Sequence, residues 1–283
     1  MSVSLLNKFS ALIKLSRPLN TFITFISIIV ASLICAGGEF LLLKVALAAA
    51  AGGFTAAGGN VINDIFDIQI DKLNKPERPL ANNTISRNSA AAFYIMLNIF
   101  SLTVSFIVGV IPFLIVLITI SFLFIYSLVL KKKILLGNIT IALLTGLAFI
   151  YGGVVVGNWK SSIIPAAFAF IINLIREIVK DMEDQEGDAK LGVITFPSKF
   201  GFARAKKTIL FFSALLIAAT FLPYLYGIYN LKFFIIVMVL VNPIIVYAMR
   251  SLFNDDSIKN LRKLSSLLKL CMLFGLAAIY FGK

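Results

Sequence analysis

Residues Val45–Pro79 read VALAAAAGGFTAAGGNVINDIFDIQIDKLNKPERP. Up to Ile62 this stretch carries no charge, and it is long enough to belong to a membrane-spanning helix, which needs about 20 apolar residues. Immediately afterwards come Asn63, Asp64, Asp67 and Asp71, then Lys72, Lys75, Glu77 and Arg78. On a helix Asn63, Asp67 and Asp71 stand at i, i+4 and i+8, along one stripe. Pro76 and Pro79 keep that helix from running much further. An apolar span that ends in a row of carboxylates sets the reading of the rest of the chain.

Eight further apolar segments accompany it. The nine run over about 19–37, 43–64, 89–109, 112–130, 138–157, 162–180, 208–227, 231–249 and 264–281. Of the 283 residues 60% are hydrophobic and 14% charged, against about 45–50% and 25% in soluble domains. That excludes a water-soluble globular protein and a disordered chain. The long continuous runs exclude a membrane β-barrel, which would show short alternating segments. The expected fold is all-α and polytopic, one domain over 1–283 with nine transmembrane helices. The first segment lacks an A-x-A cleavage site and is read as a span, not a signal peptide.

Charge tests this division. Only Lys44, Lys160, Lys232 and Lys283 fall on one side of the predicted membrane, and the other 22 of the 26 basic residues fall on the opposite side. The positive-inside rule then puts the N-terminus in the cytoplasm and the C-terminus outside. The net charge of +13 reflects this bias and contact with anionic lipid, with no domain to carry a nucleic-acid-binding face. No histidine is present, which excludes His-ligated zinc or haem and any Ser-His-Asp or Cys-His catalysis. Cys35 and Cys271 stand apart without CxxC spacing and imply no disulfide.

Twelve of the thirteen acids are on the cytoplasmic side, Glu39 being the exception, and ten of them lie in 64–77 and 177–188. The second group reads Arg176-Glu177-Ile-Val-Lys180-Asp181-Met-Glu183-Asp184-Gln-Glu186-Gly187-Asp188, at the inner end of the sixth span. Asp181, Asp184 and Asp188 share a face at i, i+3 and i+7, with Gly187 able to distort the helix. Both rows sit at helix C-termini, where the macrodipole opposes carboxylates. A solvated acidic helix end accounts for one such row better than for two equivalent ones.

All-oxygen ligands without histidine select hard cations, Mg²⁺ above all in phosphate chemistry. Two facing rows suit a diphosphate held through Mg²⁺, with Lys72, Lys75, Arg78, Arg176 and Lys180 completing the neutralisation. A diphosphate at the mouth of an apolar cavity implies an amphiphilic substrate, and an allylic diphosphate fits. A cation transporter is the alternative of another class, but its acids would be expected near the midplane, where the predicted spans carry none.

With these residues in view, the chain resembles the UbiA superfamily of intramembrane prenyltransferases. The NDxxDxxxD motif matches Asn63, Asp64, Asp67 and Asp71, and the DxxxD motif matches Asp184 and Asp188 with Gly192, preceded by Asp181. Further landmarks are Arg17-Pro18 with Asn20, Tyr126 and Lys131, Gly137-Asn138, and Thr195, Pro197 and Gly201. The resemblance implies nine helices in two related halves and Mg²⁺-dependent transfer of a prenyl group from a prenyl diphosphate to a lipid-like acceptor. It implies that Asn63, Asp67, Asp71, Asp184 and Asp188 hold the metal and diphosphate, supported by Asp64 and Asp181. Asn20, Tyr126, Lys131 and Asn138 are expected to face the substrate, and loops 65–88 and 181–207 to cap the site. The spacer from Lys72 to Pro79 is similar to that of the branch that attaches a second geranylgeranyl chain to geranylgeranylglyceryl phosphate. Branches acting on 4-hydroxybenzoate, homogentisate, naphthoate or chlorophyllide are the competing expectation. No protein partner is expected.

Overall fold

The computed structural model describes residues 5–36, 42–190 and 192–283; Glu39 and the end of the first predicted span lie outside them. Among the described residues the secondary structure is helical, without strands, and nine helices are long and apolar enough to cross a membrane.

A short amphipathic helix, α1 (Leu5–Ser16), precedes the first span, α2 (Pro18–Cys35). Pro18 suits the first turn of α2, where its missing N–H costs nothing. Arg17, between the two helices, is held in the left-handed region at φ 49°. That conformation is costly for a non-glycine residue and marks a position fixed by its surroundings. The second span, α3 (Leu42–Phe66), is rich in Ala and Gly, as expected where membrane helices approach closely. A Cβ on Gly59 would come within 2.8 Å of the Leu123 side chain. α3 packs on α2 and on α5 (Arg87–Val108), whose first turn Ser86 caps by accepting from the Ser89 N–H at 3.1 Å.

α6 (Val110–Leu128) and α7 (Leu136–Val155) follow, and then α8 (Ile163–Glu183), which packs against α7. The remaining spans are α10 (Phe196–Leu225), the Leu231–Asn254 span built from α11 (Leu231–Ile236), a π-helical turn and α12 (Asn242–Asn254), and α13 (Ile258–Gly282). α8 is the hub of the second half of the chain: Ile175 and Ile178 are fully buried in one cluster with Ile209, Ile245, Leu264 and Leu268. Large apolar side chains such as Phe106, Ile107, Ile111 and Phe211 point outward, as a lipid-facing surface requires.

Two boundaries differ from the sequence reading in ways that shape the site. α3 ends at Phe66, and a separate short helix, α4 (Ile68–Asn74), begins after Asp67. Likewise α8 ends at Glu183, and α9 (Gln185–Lys190) begins after Asp184. Neither row therefore lies on one continuous stripe. The two hinge residues have nearly the same backbone, φ −92°, ψ 5° at Asp67 and φ −91°, ψ 0° at Asp184. The physical reason is electrostatic. Continuing each helix would keep carboxylates against its negative C-terminal end. Restarting places Asp71 and Asp188 in the first turn of a new helix, where acids are favoured. The expected cap over 181–207 is also partly helical, since α10 starts at Phe196 and bends at Gly201, φ 80°.

Candidate active site

α4 and α9 meet at one end of the bundle. The Asn74 side chain donates to the Asp184 carbonyl at 3.2 Å, and Lys75 donates to both carboxylate oxygens of Asp184 at 2.7 Å. Gly187 makes this approach possible, because a Cβ there would run into the Asn74 side chain. The two acid rows are thus docked on each other, and with them Asp67, Asp71, Asp181, Asp184 and Asp188 line one polar chamber of about 40 Å³.

Each acid has a different neighbour. Asp64 is buried and takes Arg17, together with Arg78 at 3.1 Å. Arg17 also donates to the Asn63 side chain at 3.4 Å, which accounts for the strained backbone at that residue. Both carboxylate oxygens of Asp71 accept from one nitrogen of Arg78, at 2.7 and 2.8 Å. Asp67 is paired with Lys131, and Asn138 donates to Asp181 at 2.9 Å. Asn138 therefore caps nothing; it reaches across from α7 to α8. Asp188 is 4% exposed and has no side-chain hydrogen bond or ion pair among the described residues.

The charges follow from these surroundings. Burial pushes Asp188 up to about 6, with Lys131 opposing it. Burial also raises Asp71, against the pull of Arg78. Asp184 is likewise buried, but the Lys75 ammonium more than offsets this and holds it below the usual carboxylate range. A row whose members differ so much in ionisation can accept a cation without the repulsion of fully charged neighbours.

The donor set fits Mg²⁺. The side chains there that can ligate a metal are carboxylates and amides, oxygen donors as a hard cation demands, with Lys75, Arg78 and Lys131 set among them. Among the described residues no three acids converge tightly enough to cage an ion alone. Mg²⁺ needs no such cage, since it commonly takes one or two carboxylates and fills its octahedron with water and phosphate oxygens.

Beneath the chamber lies a larger cavity of about 230 Å³ between α2, α3, α6, α7, α8 and α13. The two share Arg17, Asn63, Tyr126, Glu177 and Lys180, so a polar head passes directly into an apolar body walled by Ile28, Ile115, Val116, Leu144 and Ala148. Asn20, Tyr126, Arg176 and Lys180 line this cavity, Arg176 without reaching the chamber between the rows, and Lys75, Arg78, Lys131 and Asn138 line the chamber. Lys72 does not join them. It is exposed at the surface of α4, since the restart of the helix after Asp67 turns it away.

Three charged residues escaped the sequence reading of the site. Arg17 was recognised only as a landmark, yet it clamps Asp64. Glu177 is buried between Arg176 at 2.8 Å and Lys180 at 3.0 Å. Lys269 was counted only among the basic residues of the cytoplasmic side, but α13 carries it into the wall of the cavity. A lysine between Leu268 and Leu270 within an apolar span was the available signal.

Comparison with known proteins gives the family and the fold. The UbiA prenyltransferase family matches residues 24–273. Among similar proteins, digeranylgeranylglyceryl phosphate synthase of Methanothermobacter thermautotrophicus is 40% identical over 77% of this chain and 76% of its own. The synthase of the same name from Methanocaldococcus jannaschii is 36% identical over 98% and 97%. A solved structure reported as "Structural and mechanistic insights into the biosynthesis of Digeranylgeranylglyceryl phosphate synthase in membranes" superposes with a TM-score of 0.75 at 35% identity, covering 97% of this chain and 98% of that one. A UbiA homologue from Archaeoglobus fulgidus, bound to GPP and Mg²⁺, shares the fold at a TM-score of 0.67 and 19% identity, covering 95% and 99%. The chain belongs to the UbiA prenyltransferase family and is an integral-membrane prenyltransferase.

Proposed function

We propose that the protein transfers a geranylgeranyl group from geranylgeranyl diphosphate to geranylgeranylglyceryl phosphate, in the synthesis of archaeal-type ether lipids. The observation that carries this reading is the docking of two acid rows over a cavity that grades from charged to apolar. The relatives named digeranylgeranylglyceryl phosphate synthase, matched over most of their length, supply the acceptor.

Asp67, Asp71, Asp184 and Asp188, with Asn63, Asp64 and Asp181, would hold Mg²⁺ and the donor diphosphate. Bound Mg²⁺ supplies neutralisation of the charge that develops on the departing diphosphate. Lys75, Arg78 and Lys131, already among the acids, add cationic donors to the same oxygens. The C1–oxygen bond to diphosphate breaks with its electron pair going to the diphosphate, and the acceptor hydroxyl oxygen bonds to C1 as its proton passes to an oxygen of that diphosphate. The apolar walls hold the prenyl chain and, with the segments at 65–88 and 181–207, keep water from the allylic cation.

The chain acts as a single domain. The matching breaks at Asp67 and Asp184 support two related halves, and the one-sided lysines and arginines support a plasma-membrane enzyme with its site and N-terminus facing the cytoplasm. Labelling of Asn82→Cys, at an exposed position, with an impermeant reagent checks sidedness: intact cells should protect it and opened cells should not.

The reaction is tested by offering geranylgeranylglyceryl phosphate, 4-hydroxybenzoate and homogentisate side by side to the purified protein, with geranylgeranyl diphosphate and Mg²⁺. Transfer is expected to the glyceryl phosphate and to be lost on chelation. Transfer to an aromatic acceptor alone would replace the ether-lipid reading.

A further inference from the structure

The cations of the site fall into two groups. Lys75, Arg78, Lys131 and Arg17 are each paired with an aspartate of the two rows. Arg176 and Lys180 share the single acid Glu177, and Lys269 has no ion pair or hydrogen bond among the described residues. Lys269 is nonetheless within electrostatic reach of Arg176, Lys180 and Arg17. Leaving aside Arg17, which Asp64 already neutralises, the wall of the larger cavity therefore carries Arg176, Lys180 and Lys269 against one carboxylate, Glu177. A low-dielectric site with that surplus calls for an anion.

Hydrogen-bond donors point to the same place. Arg176 Nε and Asn173 Nδ2 are buried without a partner, in residues only 9% and 4% exposed, and both residues line the cavity. Asn173, Arg176 and Lys180 stand at i, i+3 and i+7 on α8, so they present one face, and Lys269 approaches from α13, which packs on α8. Unsatisfied buried donors of this kind are rare and costly, and a ligand's acceptor oxygens relieve them.

The cavity also forks below this cluster. A second apolar pocket of about 70 Å³, between α2, α7, α8, α10, α13 and the Leu231–Asn254 span, shares Ile23, Ser27, Thr145 and Met272 with the first. Met272 is one turn along α13 from Lys269. An anion seated on Lys269 would thus have an apolar arm beside it, separate from the arm between α3 and α6.

We infer that Asn173, Arg176, Lys180 and Lys269 form the seat for the acceptor's phosphomonoester, distinct from the acid rows that take the donor diphosphate, and that the acceptor's prenyl chain lies in the second arm. This inference rests on the proposed reaction and adds the residues that recognise the acceptor. A phosphomonoester brings three acceptor oxygens and nearly two negative charges, which matches two unpartnered donors and an unpaired ammonium.

The experiment uses the full-length protein with geranylgeranyl diphosphate and two acceptors, geranylgeranylglyceryl phosphate and its dephosphorylated alcohol. Lys269→Met is expected to raise KM for the phosphorylated acceptor about tenfold or more, with KM for the alcohol and for the donor changed by less than about twofold. Lys269→Arg should restore most of the preference for the phosphorylated acceptor. Asn173→Asp, which sets a carboxylate in the seat from the other helix, should reproduce the acceptor-specific loss and guards against a fault peculiar to one substitution. An unchanged KM for the phosphorylated acceptor in both Lys269→Met and Asn173→Asp overturns the inference and leaves the reaction standing. A matching rise in donor KM overturns it by assigning the cluster to the donor's phosphates. Failure of the unaltered protein to use the phosphorylated acceptor overturns the proposed reaction and the inference with it.

Discussion

The two acid rows occupy equivalent helix breaks but are held differently. In the first, Asp64 and Asp71 are gripped by guanidinium groups from Arg17 and Arg78, and Asp67 by Lys131. In the second, Asp181 has the amide of Asn138, Asp184 has Lys75, and Asp188 has no partner among the described residues. Arg78 reaches Asp64 and both oxygens of Asp71 through one nitrogen and Arg17 joins Asp64 to Asn63, so the acids of the first row are tied to one another through shared cations. The first row is therefore part of the scaffold as well as of the site. In the second row Asp188 is left open to a ligand. The difference separates what each row contributes to folding from what it contributes to turnover.

The largest effect should appear in turnover. Asp188→Ala removes a carboxylate that has no hydrogen bond or ion pair among the described residues, and should lower transfer by about 10³-fold or more while the protein elutes and melts like the unaltered one. Asp67→Ala should be as severe in the same assay. Rates near normal in both would remove these residues from the mechanism.

Stability should divide the rows. Asp64→Ala leaves Arg17 without its carboxylate and Arg78 with Asp71 alone, and unpairing a part-buried charge in this way costs about 1–3 kcal/mol. Its melting temperature in detergent should fall well below that of Asp188→Ala. Equal melting temperatures would erase the distinction between a scaffold row and an open one.

A smaller effect probes the contact between the rows. Gly187→Ala pushes a methyl group into the Asn74 side chain and should loosen the docking of α4 on α9. Overpacking of this kind costs about 1–3 kcal/mol, so transfer should fall about tenfold, with Asn74→Ala in the same background recovering part of it. No recovery would mean that the clash is not what limits the variant.

Much of this was legible from residues alone. Nine spans follow from hydropathy, and the two rows stand out because acids are scarce and paired at equivalent helix ends. What the i, i+4 spacing could not show was the break at Asp67 and Asp184. That break depends on where the first helix gives up its hydrogen bonds, and spacing carries no record of it. The expectation for Lys72 failed for this reason, since α4 turns it to solvent. Arg17 was hidden because its reach to Asp64 is a contact 47 residues away in sequence. Lys269 was hidden because it lies near the start of the predicted last span, 264–281, where a cation reads as a boundary residue.

The central claim is that the two rows together hold the donor through Mg²⁺. Its most direct test is the melting temperature of the detergent-solubilised protein with geranylgeranyl diphosphate, with and without Mg²⁺, in the unaltered chain and in Asp188→Asn. A ligand that binds the folded state stabilises it, by about 2.7 kcal/mol at a hundred times its Kd. The account predicts a clear upward shift that requires Mg²⁺ and is lost in Asp188→Asn. An equal shift in the presence of chelator, or one undiminished in Asp188→Asn, would contradict it.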